Sequence, residues 1–281
     1  MRKLIFLPLL FSLCIVFTGC EAVSPPQPAT GYNNTVTMLD VGQAACTLIE
    51  SEGQFCLIDA GKAGGSTDIV AYLNHRGVKK LDLLVLTHFH YDHTSEALDI
   101  IRNFDIGTVL IPSLSAENIP DSYFYKSLEE DGANGYYKLE YAVKDMEFKV
   151  GQGILKVAGD TFNSENINNT SVVTVYTLDD FVYVNTADTE SDREVQILDG
   201  LPENVDFLTA GHHGSQDSTS QALLDRLKPG FVGISCGKDN DYGHPHKRVL
   251  ERLDNMDIPY SVTYETGNIV YSMDTKTATA E

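Results

Sequence analysis

The sequence predicts an α/β protein with two stacked β-sheets and helices on the outer faces. Short strands alternate with helical segments from residue 35 onward, and the second half repeats the pattern of the first. Some strands are continuous apolar runs, such as residues 81–86, which is typical of strands covered on both faces. A chain of 281 residues can bury such a core, and no linker interrupts it, so we expect one domain over residues 35–281.

Turn and cap residues mark where the predicted helices and strands of the first half begin and end. Glu52 and Gly53 predict the turn of a hairpin, Gly77 predicts the end of a helix, and Thr94 or Ser95 is a candidate N-cap. The pattern is weakest over residues 113–145. The predicted strands are residues 35–41, 45–49, 55–58, 81–86 and 107–111, and the predicted helices are residues 67–74, 94–104 and 123–130.

The second half shows the same alternation of strands and helices. Glycines and polar clusters separate its apolar runs, which is typical of short strands joined by turns. The predicted strands are residues 147–149, 154–157, 171–176, 182–185, 207–209, 231–235, 261–264 and 268–271, and the predicted helices are residues 191–198 and 221–227 with a third that ends near Met256.

The densest chemical signal is a histidine-rich turn after the strand at residues 81–86. His88, His90, Asp92 and His93 stand there in the pattern His-x-His-x-Asp-His. Imidazole and carboxylate groups are suitable ligands for zinc and other first-row divalent metals. Because His88 and His90 are two residues apart, they can point toward one ion, while Asp92 and His93 can aim at a second. The alternative, a chance cluster of surface histidines, is disfavoured by its position at a strand end.

Later strand ends carry further candidate ligands and catalytic groups. Asp188 follows the strand at residues 182–185, His212 and His213 lie between two glycines after the next strand, and His244 follows a third. Glycines beside the paired histidines allow the backbone to approach an ion or a substrate closely. The alternatives are that Asp188 caps the following helix and that these histidines only form hydrogen bonds within loops.

The net charge limits which substrates the protein can attract, and the N-terminal sequence indicates where the protein is located. The formal net charge of −20 repels polyanions, so a nucleic-acid substrate would need the metals or a local basic patch. Residues 1–20 combine a basic start, an apolar run too short to span a bilayer and small residues before Cys20, which indicates a signal peptide with a lipobox. Residues 21–34 then form a polar tether. We expect a lipoprotein anchored through lipidated Cys20 at the extracytoplasmic face of a bacterial membrane, or alternatively a secreted protein, and no protein partner is indicated.

The cysteines do not define a disulfide scaffold. Of the five, Cys14 and Cys20 belong to the signal peptide and its cleavage site, which leaves Cys46, Cys56 and Cys236. Cys46 and Cys56 lie on consecutive predicted strands and could pair in an oxidising compartment, but spacing alone does not show a disulfide.

The His-x-His-x-Asp-His stretch resembles the signature of the metallo-β-lactamase superfamily of hydrolases, which hold one or two metals. The resemblance implies an αββα sandwich of two mixed sheets flanked by helices, and a metal-bridging aspartate at the position of Asp188. It also implies a metal-binding histidine between His93 and Asp188, where this sequence has none. An Asn-rich run stands there instead, at residues 164–171. Its asparagines either supply a weak oxygen ligand or only shape a turn through local hydrogen bonds.

Further segments are similar to the metallo-β-lactamase-type domain of the ComEC family of competence proteins. The similarity runs from Thr35 to Met273, and this family shares the Asn-rich run and the missing histidine. The membrane channel of ComEC has no counterpart in this sequence, so DNA transport is not implied. Ala44 and Ala45 stand where the family usually has Gly-Asp, and Ala187 stands where it has Gly. The similar segments are residues 38–43, 57–61, 168–172, 212–215 and 242–245.

Together these observations predict a metal-dependent hydrolase, and the ComEC resemblance implies a phosphodiester substrate, either a small molecule or a nucleic acid. One or two zinc ions, with manganese as the alternative, would activate a bound water. Asp59 is a candidate partner that orients a ligand histidine. The predicted metal ligands are His88, His90, Asp92, His93, Asp188 and His244, and the candidate catalytic residues are Asp92, His212 and His213.

Two other functions stay open at the level of sequence. Negative charge favours hydrolysis of another ester or amide, such as a lactone or a β-lactam. The missing histidine would suit a binding protein that keeps the fold with a defective metal site. Four basic residues near His244 either attract phosphate or form an ordinary solvated helix face. These residues are Lys238, Lys247, Arg248 and Arg252.

Overall fold

Two mixed β-sheets pack face to face, with helices on both outer surfaces. The computed structural model describes residues 34–115, 118–119, 122–159 and 164–281, so the predicted signal peptide, Cys20 and nearly all of the tether lie outside the described residues. This architecture confirms the predicted αββα sandwich. None of the described helices is long and apolar enough to cross a membrane.

The first sheet has eight strands in the order β15-β14-β1-β2-β3-β4-β5-β6. β2 and β3 form the expected hairpin, and both turn residues, Glu52 and Gly53, have the positive φ that a two-residue turn of this kind needs. The strands are β1 Thr35–Met38, β2 Thr47–Ser51, β3 Gln54–Ile58, β4 Lys80–Val85, β5 Asp105–Pro112, β6 Lys138–Ala142, β14 Ile269–Ser272 and β15 Thr277–Ala280. The helices on its outer side are α1 Ile69–His75, α2 Tyr91–Thr94, α3 Ala97–Asn103 and α4 Tyr123–Ala133.

The second sheet has seven strands in the order β13-β12-β11-β10-β9-β8-β7. β10, β11, β12 and β13 run parallel to one another, so the loops that follow β10, β11 and β12 leave the same edge of the sheet. The strands are β7 Glu147–Val150, β8 Gly153–Val157, β9 Thr174–Leu178, β10 Phe181–Asn185, β11 Phe207–Thr209, β12 Val232–Ile234 and β13 Tyr260–Val262. The remaining helices are α5 Ser191–Ile197, α6 Gln221–Leu227, α7 Lys247–Asn255 and α8 Thr263–Thr266.

Three apolar clusters separate the four layers. At the end of β4, Leu84 and the following Leu86 face the outer helices, whereas Leu83 and Val85 face the second sheet, as the two-residue period of a strand requires. The middle cluster contains the fully buried Phe207, and truncating such a residue to alanine typically costs about 3–5 kcal/mol. A third cluster fills the space between the second sheet and its helices.

Several details differ from the sequence prediction. Thr94 and Ser95 do not cap a helix N-terminus, because Thr94 ends α2 and Glu96 precedes α3. The helix is interrupted there because Ser95 and Glu96 donate their backbone N–H groups to the loop after β3. Sequence patterns missed β6 and the edge strand β15, whose sequence, TATA, has no large apolar side chain.

The three described cysteines are free and buried. Cys46 belongs to the cluster on the helical side of the first sheet, whereas Cys56 belongs to the cluster between the sheets. Their side chains therefore lie on opposite faces of the sheet, and the disulfide that spacing left open is absent from the structure.

Candidate metal centre

The histidine turn connects β4 to α2 and is held by loops from two other strands. Ala45 donates its backbone N–H to the carbonyl of Asp92, and Ala60 donates to the carbonyl of His93. Gly61 has a φ of +58°, and a Cβ on it would lie 2.8 Å from Ile69, so only glycine fits this turn comfortably. One of the segments that resemble the ComEC family, residues 57–61, thus shapes the backbone of the turn.

Two groups of ligand atoms lie at this edge, and the atoms of each group are all within 4.8 Å of one another. The first, called here the His88 group, is formed by His88, His90 and Asp188. The second, called the His93 group, is formed by Asp92, His93 and His213. Asp188 connects the two, because its Oδ1 lies 3.3 Å from His93 Nε2 and its Oδ2 lies 3.7 Å from His88 Nε2.

The two imidazoles of the His93 group are oriented by hydrogen bonds at Nδ1, the ring nitrogen that faces away from the other ligands. His93 Nδ1 donates to Asp59 Oδ2 at 2.7 Å, and His213 Nδ1 donates to the carbonyl of Ser235 at 2.9 Å. Asp59 also accepts from the backbone N–H and the hydroxyl of Thr87, which fixes the carboxylate. These bonds leave the Nε2 atoms of His93 and His213 facing the other ligands, and both are buried without a hydrogen-bond partner.

Buried polar atoms without a partner are costly, and metal coordination satisfies such atoms. Two orphaned Nε2 atoms beside carboxylates are the donor set of a borderline divalent cation such as zinc. The residues therefore fit the metal that the sequence predicts. Asp59 stands where the sequence analysis expected a partner that orients a ligand histidine.

Asp188 faces the histidines and does not cap α5. Its loop leaves β10 through Ala187, which has a φ of +47°, and its backbone N–H donates to Ser171 Oγ at 3.3 Å. The residue that precedes α5 is Glu190, whose side chain makes no capping hydrogen bond. Burial alone would raise the pKa of Asp188, but His93 and His213 outweigh it and hold that pKa well below its usual range.

The Asn-rich run that replaces the missing histidine reaches His88 through Ser171, at the ring nitrogen that does not face Asp188. His88 Nδ1 lies 3.2 Å from Thr87 Oγ1 and 3.4 Å from Ser171 Oγ. The Asn-rich run forms a 3₁₀ turn, Ile167–Thr170, that Asn166 closes by accepting from the N–H of Asn168. The interpretation of the run as a turn therefore holds for Asn166. Asn168 differs, because its Oδ1 is buried without a partner among the described residues.

His212 and His244 lie beside the donor groups and belong to neither. His212 Nε2 is 3.7 Å from Asp188 Oδ2, and its ring centroid is 5.6 Å from that of His244. The ring centroid of His244 is 6.3 Å from that of His213, and its Nδ1 contacts Gln43. His213, a candidate catalytic residue in the sequence analysis, thus lies in the second group, and His244, a predicted metal ligand, lies in neither.

The donor groups open into a cavity of about 300 Å³. Its walls include the two histidines outside the groups and two exposed aromatic rings, Tyr91 and Tyr242. Tyr242 lies against His244, with ring centroids 5.6 Å apart and an interplanar angle of 23°. No lysine or arginine lines this cavity among the described residues.

Burial and neighbouring charges shift the pKa values of the histidines around the cavity in different directions. Burial lowers the pKa of His88 and of His212, and together with His213 it lowers the pKa of His244 to about 4. His93 behaves in the opposite way, because Asp188 and Asp59 overcome burial and raise its pKa well above the usual range. A proton on His93 Nε2 and a cation at the same atom exclude each other, so the two compete for this group.

The loop from Gly211 to Ser220 is braced from both sides. Glu194 is fully buried and accepts from the backbone N–H groups of Thr219 and Ser220 at 2.7 and 2.9 Å. Arg252 donates to the carbonyls of the same loop. His212 and His213 both have positive φ, an unusual conformation for non-glycine residues that such bracing can maintain.

Two of the four basic residues near His244 are already engaged with other groups of the protein. Arg252 is engaged with loop carbonyls, and Lys247 pairs with Glu251 at 2.7 Å on the exposed face of α7. Arg248 lines a neighbouring cavity together with three carboxylates. The solvated helix face is therefore the better interpretation for Lys247, whereas Arg252 supports the loop.

Sequence reasoning gave no role to Gln43, Ser235 or Glu194, although all three position site residues. Gln43 lies in a segment that carries the ComEC resemblance, which was the available signal. Ser235 acts through its carbonyl, and a backbone group leaves no signature in the sequence.

The sequence matches the family profile described as the Metallo-beta-lactamase superfamily over residues 39–232. The chain therefore belongs to the metallo-beta-lactamase superfamily. Superfamily membership and the His/Asp donor groups together identify it as a metallo-hydrolase of this fold that binds a divalent metal.

Among curated proteins the chain is similar to competence and recombination proteins. It is 27% identical over 267 residues to ComE operon protein 3 of Bacillus subtilis (strain 168), a match that covers 87% of this chain and 34% of that protein. It is 31% identical over 223 residues to Recombination protein 2 of Haemophilus influenzae, covering 78% of this chain and 26% of that protein. The chain thus spans about a third or less of the length of these relatives.

Solved structures share the fold at low sequence identity. The metallo-beta-lactamase fold protein YhfI from Bacillus subtilis superposes with a TM-score of 0.59 at 13% identity, covering 85% of this chain and 99% of that one. Igni18, a metallo hydrolase from Ignicoccus hospitalis, superposes with a TM-score of 0.54 at 17% identity, covering 85% of this chain and 99% of that one. These likenesses concern the fold.

Proposed function

We propose that the protein is a metal-dependent phosphodiesterase that works outside the cytoplasm. The observation that carries the proposal is the pair of donor groups joined by Asp188 at the wall of one open cavity. Two cations held this way suit an in-line displacement at phosphorus, since they would activate a water and neutralise charge on the phosphoryl group. The similarity to competence and recombination proteins supports a phosphodiester over a lactone or a β-lactam.

Different residues of the chain would bind the metals and act on the substrate. His88, His90 and Asp188 would hold one zinc or manganese ion, and Asp92, His93 and His213 would hold the other. His212 lines the cavity without belonging to either donor group, and its Nδ1 lies 3.9 Å from Glu190, so it is placed to donate to the leaving oxygen. Asp92 and His213 therefore act through the metal, and His212 through the substrate.

Substrate binding relies on stacking as well as on charge. Tyr91 and Tyr242 are 62% and 67% exposed at the cavity, and neither hydroxyl has a hydrogen-bond partner among the described residues. Exposed aromatic rings are suitable platforms for unpaired nucleobases, and stacking contributes about 1–3 kcal/mol per base. A phosphodiester that carries a nucleobase therefore fits this cavity better than one without.

The first experiment measures turnover of three substrate classes by the full-length protein in detergent. The metal-free protein is reloaded with zinc or manganese and offered a single-stranded oligonucleotide, a lactone and a β-lactam. We expect metal-dependent cleavage of the oligonucleotide only. Turnover of the lactone or β-lactam alone would contradict the proposal, and metal binding without any turnover would favour a binding protein.

A second experiment tests the aromatic rim. Tyr242→Ala should slow cleavage beside a normal nucleotide about 5- to 100-fold, with little effect beside an abasic residue. Tyr136→Ala is the matched control, because Tyr136 is 71% exposed and lines a different cavity. If Tyr242→Ala slowed cleavage equally beside a normal nucleotide and beside an abasic residue, Tyr242 would have no role in stacking.

The location is part of the proposal. The signal peptide with a lipobox would place lipidated Cys20 in the outer leaflet of the cell membrane and the hydrolase domain outside. Wild-type protein should incorporate a labelled fatty acid and fractionate with membranes, and Cys20→Ser should do neither. Release of unlabelled wild-type protein into the medium would instead indicate the secreted alternative.

A further inference from the structure

The Gln43 amide is fixed between two unlike partners. Its Oε1 accepts from the backbone N–H of Gly237 at 3.1 Å, and its Nε2 lies 3.2 Å from His244 Nδ1. A backbone N–H can only donate, so the oxygen of the amide must face Gly237 and the NH₂ must face His244. The amide orientation follows from this contact alone.

An amide NH₂ can only donate, so His244 Nδ1 must accept. A neutral imidazole carries one N–H, and when Nδ1 accepts, that N–H is on Nε2. His244 lines the cavity, and Nε2, its remaining polar atom, has no hydrogen-bond partner among the described residues. The ring therefore presents a donor there, whereas a metal ligand must present a lone pair.

The loop around His244 is built to hold this arrangement. Asn240 Oδ1 accepts from the backbone N–H of His244, and Asn240 Nδ2 donates to the His244 carbonyl. A Cβ on Gly237 would lie 2.7 Å from the backbone nitrogen of Gln43, so the two loops touch only because residue 237 is glycine. Ring and amide are thus positioned before any ligand arrives.

The metal-binding histidines show the opposite arrangement. His93 and His213 each donate from Nδ1 to an oxygen, which leaves Nε2 free to bind a cation. His244 meets a donor at the same ring position. The difference lies in the partner behind each ring, an oxygen in two cases and an amide nitrogen in the third.

We propose that Gln43 sets the tautomer of His244, so that His244 donates a hydrogen bond from Nε2 to a phosphoryl oxygen of the substrate and does not bind metal. His244 touches the substrate and is a catalytic residue, while Gln43 is a positioning residue that acts through it. The substrate part of this inference rests on the proposed phosphodiesterase function. The tautomer and the metal part do not.

The tautomer is measured directly by NMR of the protein labelled with ¹⁵N-histidine, before and after zinc loading. We expect an unprotonated Nδ1 and a protonated Nε2 on His244 in both states. Gln43→Glu should reverse the tautomer or protonate the ring, since the introduced carboxylate accepts where the amide donated. A His244 that loses the Nε2 proton when zinc is added would overturn the proposal.

Metal binding gives an independent measurement. His244→Ala should keep the zinc stoichiometry and change zinc affinity less than twofold, whereas His213→Ala should weaken zinc at least tenfold. Equal losses in both variants would show that His244 is a ligand after all. Gly237→Ala should disturb the tautomer as Gln43→Glu does, because the added methyl group pushes Gln43 away.

Turnover tests the substrate part. His244→Ala should lower kcat on an oligonucleotide about 10²-fold, in the range seen when one donor to a developing oxyanion is removed. Gln43→Glu should lower kcat similarly, and Gln43→His, which can again donate to Nδ1, should recover part of it. Unchanged kcat in His244→Ala would overturn the substrate role. A wild-type protein that cleaves no phosphodiester contradicts the proposed function instead, and the NMR and zinc measurements still decide the tautomer.

Discussion

The His93 group and the His88 group share Asp188 but differ in what stands behind their imidazoles. In the His93 group a carboxylate and a carbonyl orient the two rings, and both Nε2 atoms are orphaned. In the His88 group, His88 Nδ1 lies beside the neutral hydroxyls of Thr87 and Ser171 instead. The His93 group is therefore the more strongly preorganised of the two for a cation.

This difference predicts that the two groups bind a cation with unequal affinity. Oxygen acceptors behind a ring fix its tautomer and raise the basicity of the ligand nitrogen, so less free energy is lost when the metal arrives. The hydroxyl oxygens beside His88 Nδ1 are neutral and are weaker acceptors than the Asp59 carboxylate behind His93, so they support the ligand nitrogen less. We therefore expect the His93 group to bind its metal first.

The largest effect should come from the residue that the two groups share. Asp188→Asn keeps the volume but removes the charge beside both groups, so we expect loss of both metals and a decrease in turnover of more than about 100-fold. Metal content after dialysis and turnover of an oligonucleotide check this. Asp180→Asn is the control, since Asp180 is an exposed partner of Lys276. Retention of one full metal equivalent in Asp188→Asn would show that the groups are independent.

Removing the carboxylate that orients His93 should reduce metal binding somewhat less than removing the charge of Asp188. Asp59→Asn puts an NH₂ opposite His93 Nδ1, which disfavours the tautomer that binds metal, so zinc affinity should decrease about 10- to 100-fold. Competition with a chromophoric chelator measures the affinity. Asp82→Asn changes a partly buried carboxylate away from the site and should leave the affinity unaltered. An unaltered affinity in Asp59→Asn would mean that orientation from behind does not distinguish the groups.

Sequence predicted the layers of this fold well because they follow local rules. The two-residue period of β4, the turn at Glu52 and Gly53 and the His-x-His-x-Asp-His pattern are each legible within a few neighbouring residues. The pairing of His213 with Asp92 was not legible, since it depends on how the loop after β11 meets the turn after β4. Gln43 and His244 are 201 positions apart, so their contact exists only in the folded chain.

Protons should compete with zinc more strongly in the His93 group. Although burial opposes it, Asp188 raises the pKa of His93 and of His213, whereas burial lowers the pKa of His88. Zinc must therefore displace a proton from the His93 group, and its apparent affinity there should increase about tenfold per pH unit for each proton released. Zinc titrations at several pH values between about 6 and 8 measure this. If the affinity for the more tightly bound zinc equivalent did not change with pH, the assignment of that equivalent to the His93 group would be contradicted.

Stability of the metal-free protein should change in the opposite direction. The raised pKa of His93 contributes stability that is complete below the unfolded pKa of about 6.5 and is lost as the pH rises through the folded value. Thermal unfolding of the metal-free protein should therefore occur at a lower temperature at pH 9 than at about pH 7. His93→Gln should remove most of this dependence.

The smallest effect should come from the brace of the histidine loop. Glu194→Gln replaces one acceptor by a donor opposite a backbone N–H, which should cost about 1–3 kcal/mol and lower Tm by a few degrees. Glu251→Gln, on the exposed face of α7, should leave Tm within a degree or so. If Glu194→Gln has a wild-type Tm and wild-type zinc affinity, the loop does not depend on this carboxylate.

The unequal strength of the two groups is tested most directly by a zinc titration of three proteins. The wild-type protein should bind one tight and one weaker equivalent. His213→Ala should lose the tight equivalent, and His90→Ala should keep it and lose only the weaker one. The reverse pattern, or equal weakening in both variants, would contradict the account.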